Sequence, residues 1–330
     1  MSAQPVLVTV DDRARLMSAV LSLTDWPARE QARKRHRAHV HARTTAKRVQ
    51  SLAKHPAVHS LQTLLDQNTP LEAVYTYALR LSWPELRLET VLPWAPPYWD
   101  EQLQDFYAQA DLATLWEEEK DAWTRAQEEA QNAIAGVDFQ HFLEPFFGTV
   151  QERFVLMPNI SYPSDTEVGV RLDDTLFCLI PPRIAWGDNE PWPFDDDAAH
   201  IVRGALAQYA QLLITAYLRL NAAAIAPTTT TPLPVSDAFR HTYPTWGDQF
   251  TALFVGGAVA LFLEETFGPQ EARAYVLMEK RTNGLDILPS VVSVLKRYLE
   301  ERAEARYGQL VDFLPTFGKH LRAAQGLSAL

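Results

Sequence analysis

The chain has 330 residues, 47% hydrophobic and 11% aromatic, which is enough for a sizeable core or two packed subdomains. A formal charge of −11 argues against a general nucleic-acid binder, and the single cysteine, Cys178, excludes an intramolecular disulfide and a cysteine-rich zinc knuckle. No stretch approaches the roughly 20 apolar residues of a membrane span, and residues 1–10 are too short and too lightly charged for a signal peptide, so a cytoplasmic protein with no membrane partner is expected.

Val6, Val8 and Val10 alternate with Leu7 and Thr9, as in a short strand. Asp11 and Asp12 then cap a helix whose buried stripe is Leu16, Val20 and Leu23, and Pro27 is expected to stop it. Residues 29–54 form a basic arm with nine Lys/Arg against one acid, Glu30, while the rest of the chain holds 21 basic and 40 acidic residues. His36, His39 and His41 interleave with its arginines. Three histidines this close are a metal-binding pattern, but no acid or thiol accompanies them, and a solvated, mobile arm is the expectation. The arm is also the one segment fitted to an acidic partner or to nucleic acid.

Residues 52–65 and 71–81 read as amphipathic helices, the second with Pro70 at its first position. Residues 100–113 and 114–135 form a helical pair with Leu112, Leu115, Trp116 and Trp123 on the inner face. Asp138 opens a short aromatic helix, 139–147, that Gly148 closes. The period then changes: 154–157, 168–172 and 176–180 read as three short strands, expected antiparallel, with a turn at Asp173-Asp174. Cys178 lies in the last of them and is expected to be buried and inert.

A Pro- and Trp-rich loop (181–193) leads to a long helix over about 195–225 that starts on Asp195, Asp196 and Asp197 and carries His200 in its second turn. Residues 228–234 are expected to be a mobile loop. The helix from Gly247 or Asp248 to Thr266 is almost wholly apolar over 252–263 and must be buried. Helices over 270–281, 288–306 and 311–324 complete the chain. The predicted fold class is mainly α (α+β): a helical N-terminal region, 1–150, then 151–330 with a small antiparallel sheet and a helical C-terminal half.

In this order the pieces resemble a bacterial family of gluzincin-like zinc metallopeptidases known only as a domain of unknown function. The resemblance is carried by Val8–Val20 (Val-x-Val-Asp-x-Arg-x-x-Leu-x-x-x-Val), His55-Pro56-Ala57-Val58, the helix from Asp138 to Gly148, the strand at 154–158, the helix at His200, the lead-in Tyr243 to Trp246, and Ala258-Val259-Ala260. It implies that 151–330 is a zincin-like domain. Zincin chemistry uses His-Glu-x-x-His: two imidazoles one turn apart hold Zn²⁺, the glutamate acts as general base, and a later helix supplies a third ligand.

This chain departs from that pattern. His200 matches the first histidine, but Ile201 stands at the base and Gly204 at the second histidine. The third ligand aligns near Ala252 or Leu253, neither of which coordinates a metal. The resemblance with these losses implies a catalytically inactive protein with a binding or scaffold role and a vestigial site of His200, Arg203, Gly204, Tyr243 and Asp248. On that reading the partner is a protein or peptide and no cofactor is expected.

The alternative is a metal-dependent hydrolase with an atypical site, in which His200 and Asp196 or Asp197 share a helix face and Asp248 completes the donors. Against it, the aspartates are expected to cap the helix and offset its dipole. Arg203 is expected to pair with Asp248, Glu264 or the strand edge. His241 and Tyr243 occupy the place where the resemblance puts a transition-state residue, and Glu264-Glu265 read as a solvated helix end. No glycine-rich phosphate loop, Gly-x-Ser-x-Gly elbow or Cys/His dyad is present.

Overall fold

A computed structural model describes residues 6–33, 39–183 and 190–328. In chain order its elements are β1 (Leu7–Val8), α1 (Asp12–Leu21), α2 (Trp26–Arg33), α3 (Val40–Val49), α4 (Pro56–Asp66), α5 (Leu71–Arg80), α6 (Trp99–Gln109), α7 (Leu112–Glu118), α8 (Lys120–Ala133), α9 (Phe139–Phe147), β2 (Arg153–Pro158), β3 (Val168–Leu172) and β4 (Thr175–Ile180). They continue with α10 (Ala198–Leu220), α11 (Ala222–Thr229), α12 (Asp237–Thr242), α13 (Trp246–Thr266), α14 (Pro269–Thr282), α15 (Leu288–Ala303) and α16 (Leu310–Ser328). The protein is mainly helical with one small sheet. Its contacts separate two compact units: a first of Val6–Ala135 with Arg153–Ile201, and a second of Gly136–Glu152 with the chain from Val202 onward. Strands 153–180, assigned from sequence to the C-terminal part, therefore group with the N-terminal helices.

In the first unit the sheet order is β1-β2-β4-β3. The expected all-antiparallel sheet is corrected: β1 is parallel to β2 and β2 to β4, and only β3 pairs antiparallel, with β4. The tight turn at Asp173, at φ 52°, forces β3 and β4 into a hairpin. The longer connection after Pro158 carries the chain past β4 to the edge, so β2 pairs β4 rather than its sequence neighbour. Both central strands are continuous apolar runs, the pattern of strands covered on both faces. Cys178 is fully buried in β4, and burial pushes its thiol well up.

Asp11 caps α1 by accepting the Arg13 and Ala14 amides, and α1 buries Leu16, Met17 and Val20 against α4 and α5. Pro27 does not stop α1, which ends at Leu21; it stands in the first turn of α2, where its missing N–H costs nothing. Arg15 is 7% exposed, and its guanidinium lies between the rings of Trp116 and Trp123, 4.1 and 4.0 Å from their centroids.

The expected mobile arm is corrected over its described part, which is helical in α2 and α3, while Arg29, Lys47, Arg48 and Lys54 are exposed to solvent as expected. α3 buries Ala42, Thr45 and Val49, packs on α1, and is tied by His41 Nδ1 to Glu119 Oε1 at 2.9 Å and by Arg48 to Glu118 at 3.4 Å. Lys34, Arg35, His36 and Arg37 lie outside the described residues.

The second unit is an aromatic core. Asp138 accepts the His141 amide at 2.9 Å to start α9, and Gly148, at φ 77°, ends it. α9 inserts Phe139, Phe142 and Phe146 among α10, α13 and α15, with Phe142–Phe262 and Phe146–Phe254 edge-to-face at 4.7 and 5.2 Å. Each such pair adds about 0.5–1.5 kcal/mol beyond the area it buries. Tyr298 Oη, from α15, donates to the Pro145 carbonyl at 2.8 Å.

α13 is apolar all round and almost wholly buried from Phe250 to Leu263, as its sequence requires. By length and composition it is long and apolar enough to cross a membrane, which corrects the sequence expectation, yet 72% of that window is buried in the protein. Gly257 permits its close approach to α15: a Cβ there would stand 2.6 Å from Leu295 Cδ1 and 2.9 Å from Val291 Cγ1.

Candidate functional site

The residues singled out from sequence begin at the start of α10. Asp197 caps it, its Oδ1 accepting the His200 amide at 3.1 Å while its Oδ2 pairs with Arg183 at 3.2 Å. Asp195 accepts from Asn132 Nδ2 at 3.3 Å, and Asp196 is exposed. His200 is half-buried and Ile201, where the sequence resemblance would expect the base, is 1% exposed and faces packed core. Gly204 is buried one turn on.

In the second unit, α13 starts with a capping box: Thr245 Oγ1 accepts the Asp248 amide at 3.0 Å, and Asp248 Oδ2 accepts the Thr245 amide at 3.2 Å. Asp248 is thus a helix cap, not a donor reserved for a metal. Glu264 pairs with Lys296 at 2.8 Å. Both carboxylates proposed for Arg203 therefore have structural partners of their own. His241 and Glu265 are exposed. Tyr243 is half-buried against Phe239, with ring centroids 4.6 Å apart.

The donor set does not fit a zincin zinc ion. Ile201, Gly204 and Ala252 offer no ligand atom, and among the described residues no three His, Cys, Asp or Glu side chains come together as a metal group. The arrangement expected of the atypical hydrolase, His200 with Asp196 or Asp197 and Asp248, is not such a group. The arm histidines do not form one either: His39 is buried with no hydrogen-bond partner for either ring nitrogen among the described residues, and His41 is held by Glu119.

What the second unit does contain is an open groove of about 560 Å³, within the size range of ligand sites. Ala207, Gln211, Thr215 and Leu218 of α10 form one wall. Asp248, Thr251, Ala252 and Val255 of α13 form another, with Tyr243 before it and Tyr275 and Glu279 of α14 beyond. Helical phase connects this groove to the sequence motif. His200, Gly204, Ala207, Gln211, Thr215 and Leu218 follow one another by three or four residues and so share a single stripe of α10. Of the two positions at which the sequence resemblance expects a third ligand, Ala252 lines the groove, whereas Leu253 is fully buried.

Two of the sequence-derived site residues, Tyr243 and Asp248, are therefore in the groove. Gln211, Thr251, Tyr275 and Glu279 were missed. The three- and four-residue continuation from Gly204 to Leu218 was the readable signal for the first of these, and no sequence pattern marks the α14 residues. Burial raises the Tyr243 phenol, and the nearby Glu279 charge raises it further. Glu279 Oε2 accepts from Asn283 Nδ2 at 2.7 Å.

The first unit has a cavity of about 60 Å³ beside His41, Arg125, Glu129 and Trp192, room for a few waters. No family model, no curated protein and no solved structure matches the chain.

Proposed function

We propose that this chain is a catalytically inactive, zincin-like bacterial protein of the cytoplasm that holds a protein or peptide partner in the groove between α10 and α13. The observation that carries the reading is the shared stripe of α10. The positions where a zincin keeps its histidines lie on the helical face that continues as one wall of an open groove, and Ala252 on the facing helix aligns with the third ligand. The frame of a metallopeptidase cleft is retained in this reading, while Ile201, Gly204 and Ala252 remove the base and two ligands. What remains at the groove are amides, hydroxyls, two carboxylates and two phenols, with no cysteine or histidine among the described lining residues.

Elemental analysis of protein purified without added metal tests the loss of chemistry. Less than a tenth of an equivalent of zinc per chain is expected. One equivalent, abolished by His200→Ala, overturns the reading.

A further inference from the structure

The groove is one-sided in charge. Its titratable lining is Asp248, Glu279, Tyr243 and Tyr275, and no lysine, arginine or histidine lines it among the described residues. Lys280, adjacent to Glu279 in sequence, is 3.7 Å from Asp286 instead. Among the described residues the internal hydrogen bonds engage Oδ2 of Asp248 and Oε2 of Glu279, which leaves the other oxygen of each for an incoming donor.

Tyr243 feels the Glu279 charge, so a carboxylate and an aromatic ring face the same space. Carboxylates beside phenol rings, with no competing cation, are the chemistry that recognises an ammonium or guanidinium group through charge-assisted hydrogen bonds and ring-face contact. The same groove has apolar lining from Leu218, Val255 and Leu285. At about 560 Å³ it exceeds what one side chain fills.

Resting on the reading of the groove as the binding site, we infer that it takes a lysine or arginine side chain presented by a peptide segment, with the flanking residues seated on the apolar lining. The partner is recognised by a basic residue within an otherwise apolar stretch.

Fluorescence anisotropy with labelled hexapeptide pools of fixed central residue (Lys, Arg, norleucine or Glu) tests this on the full chain. The Lys or Arg pool is expected to bind at least ten-fold tighter than the norleucine and Glu pools. Glu279→Gln is expected to weaken it at least five-fold, and Asp248→Asn to weaken it in the same direction, with the helical circular dichroism unchanged. Equal binding of all four pools, lost in Ala252→Trp, overturns the charge assignment and leaves the groove reading intact. Binding that Ala252→Trp does not alter overturns the groove reading as well. Competition by free 1,5-diaminopentane as strong as by the Lys pool overturns the peptide assignment in favour of a small amine. Absence of binding by every pool overturns the inference.

Discussion

Acidification should destabilise the first unit through His39, and the effect can be sized. His39 precedes α3, is 4% exposed, and has no hydrogen-bond partner at either ring nitrogen among the described residues. Burial, with His41 and Arg43 adding repulsion, lowers its pKa from 6.5 to about 3. The unfolded chain therefore takes up a proton below pH 6.5 that the native state refuses until about pH 3. Stability from this group is complete above pH 6.5 and is lost progressively as the pH falls toward 3. At pH 5 the loss is about 2 kcal/mol, or roughly 1 M in a urea midpoint at a slope of about 2 kcal/mol per M.

His39→Leu keeps the volume, cannot titrate, and removes no cap, because the His39 side chain makes no capping hydrogen bond. Seven described tryptophans lie in this unit against Trp246 alone in the other, so indole fluorescence during urea unfolding reports mainly on the unit concerned. The difference between wild type and His39→Leu should change by about 2 kcal/mol between pH 7.5 and pH 5. Two midpoints falling in parallel would refute the argument, since every other titrating group is common to both proteins.

The aromatic plug of the second unit sets a further expectation. Phe146 is 1% exposed and meets Phe142, Phe254 and Tyr298, so Phe146→Ala should cost about 3–5 kcal/mol in thermal unfolding followed by circular dichroism. A cost under about 1 kcal/mol would contradict this packing. Two glycines of α13 should respond with opposite signs. Gly257→Ala forces a Cβ against Leu295 and Val291 and should destabilise by up to about 2 kcal/mol, whereas at Gly247, where the nearest atom is Thr245 Oγ1 at 3.7 Å, alanine should stabilise by about 0.5–1 kcal/mol. The same sign at both positions would remove the close approach of α13 and α15 as the reason for Gly257.

Most helices were legible because their signals are local. Asp11 and Asp138 stand before apolar periods, and both act as side-chain caps; the apolar run of 252–263 had to be buried and is, except at Ala252 and Val255, which are half-buried at the groove. The strand positions were equally clear, but strand direction was not. A two-residue turn dictates the β3–β4 hairpin, whereas the insertion of β4 between β2 and β3 is a long-range pairing with no local mark. Pro27 misled because the same residue ends one helix or starts the next depending on where the backbone turns. The charge of the arm hid the small residues, Ala42 and Thr45, that let α3 pack.

At the candidate site, Tyr243 and Asp248 were found through their sequence neighbours. The groove itself is assembled from α10, α13 and α14, and most of its lining, such as Ala207, Thr215 and Val255, carries no reactive group for a motif to flag.

The groove between α10 and α13 is the proposed place where this protein works. Its most direct test is the binding isotherm of an unbiased labelled hexapeptide pool on the wild type and on Ala252→Trp, whose indole would project into the groove from α13 and obstruct it. The account predicts saturable binding to the wild type and loss of at least ten-fold in affinity in the variant, at an unchanged unfolding midpoint. Equal affinity for both proteins would contradict it.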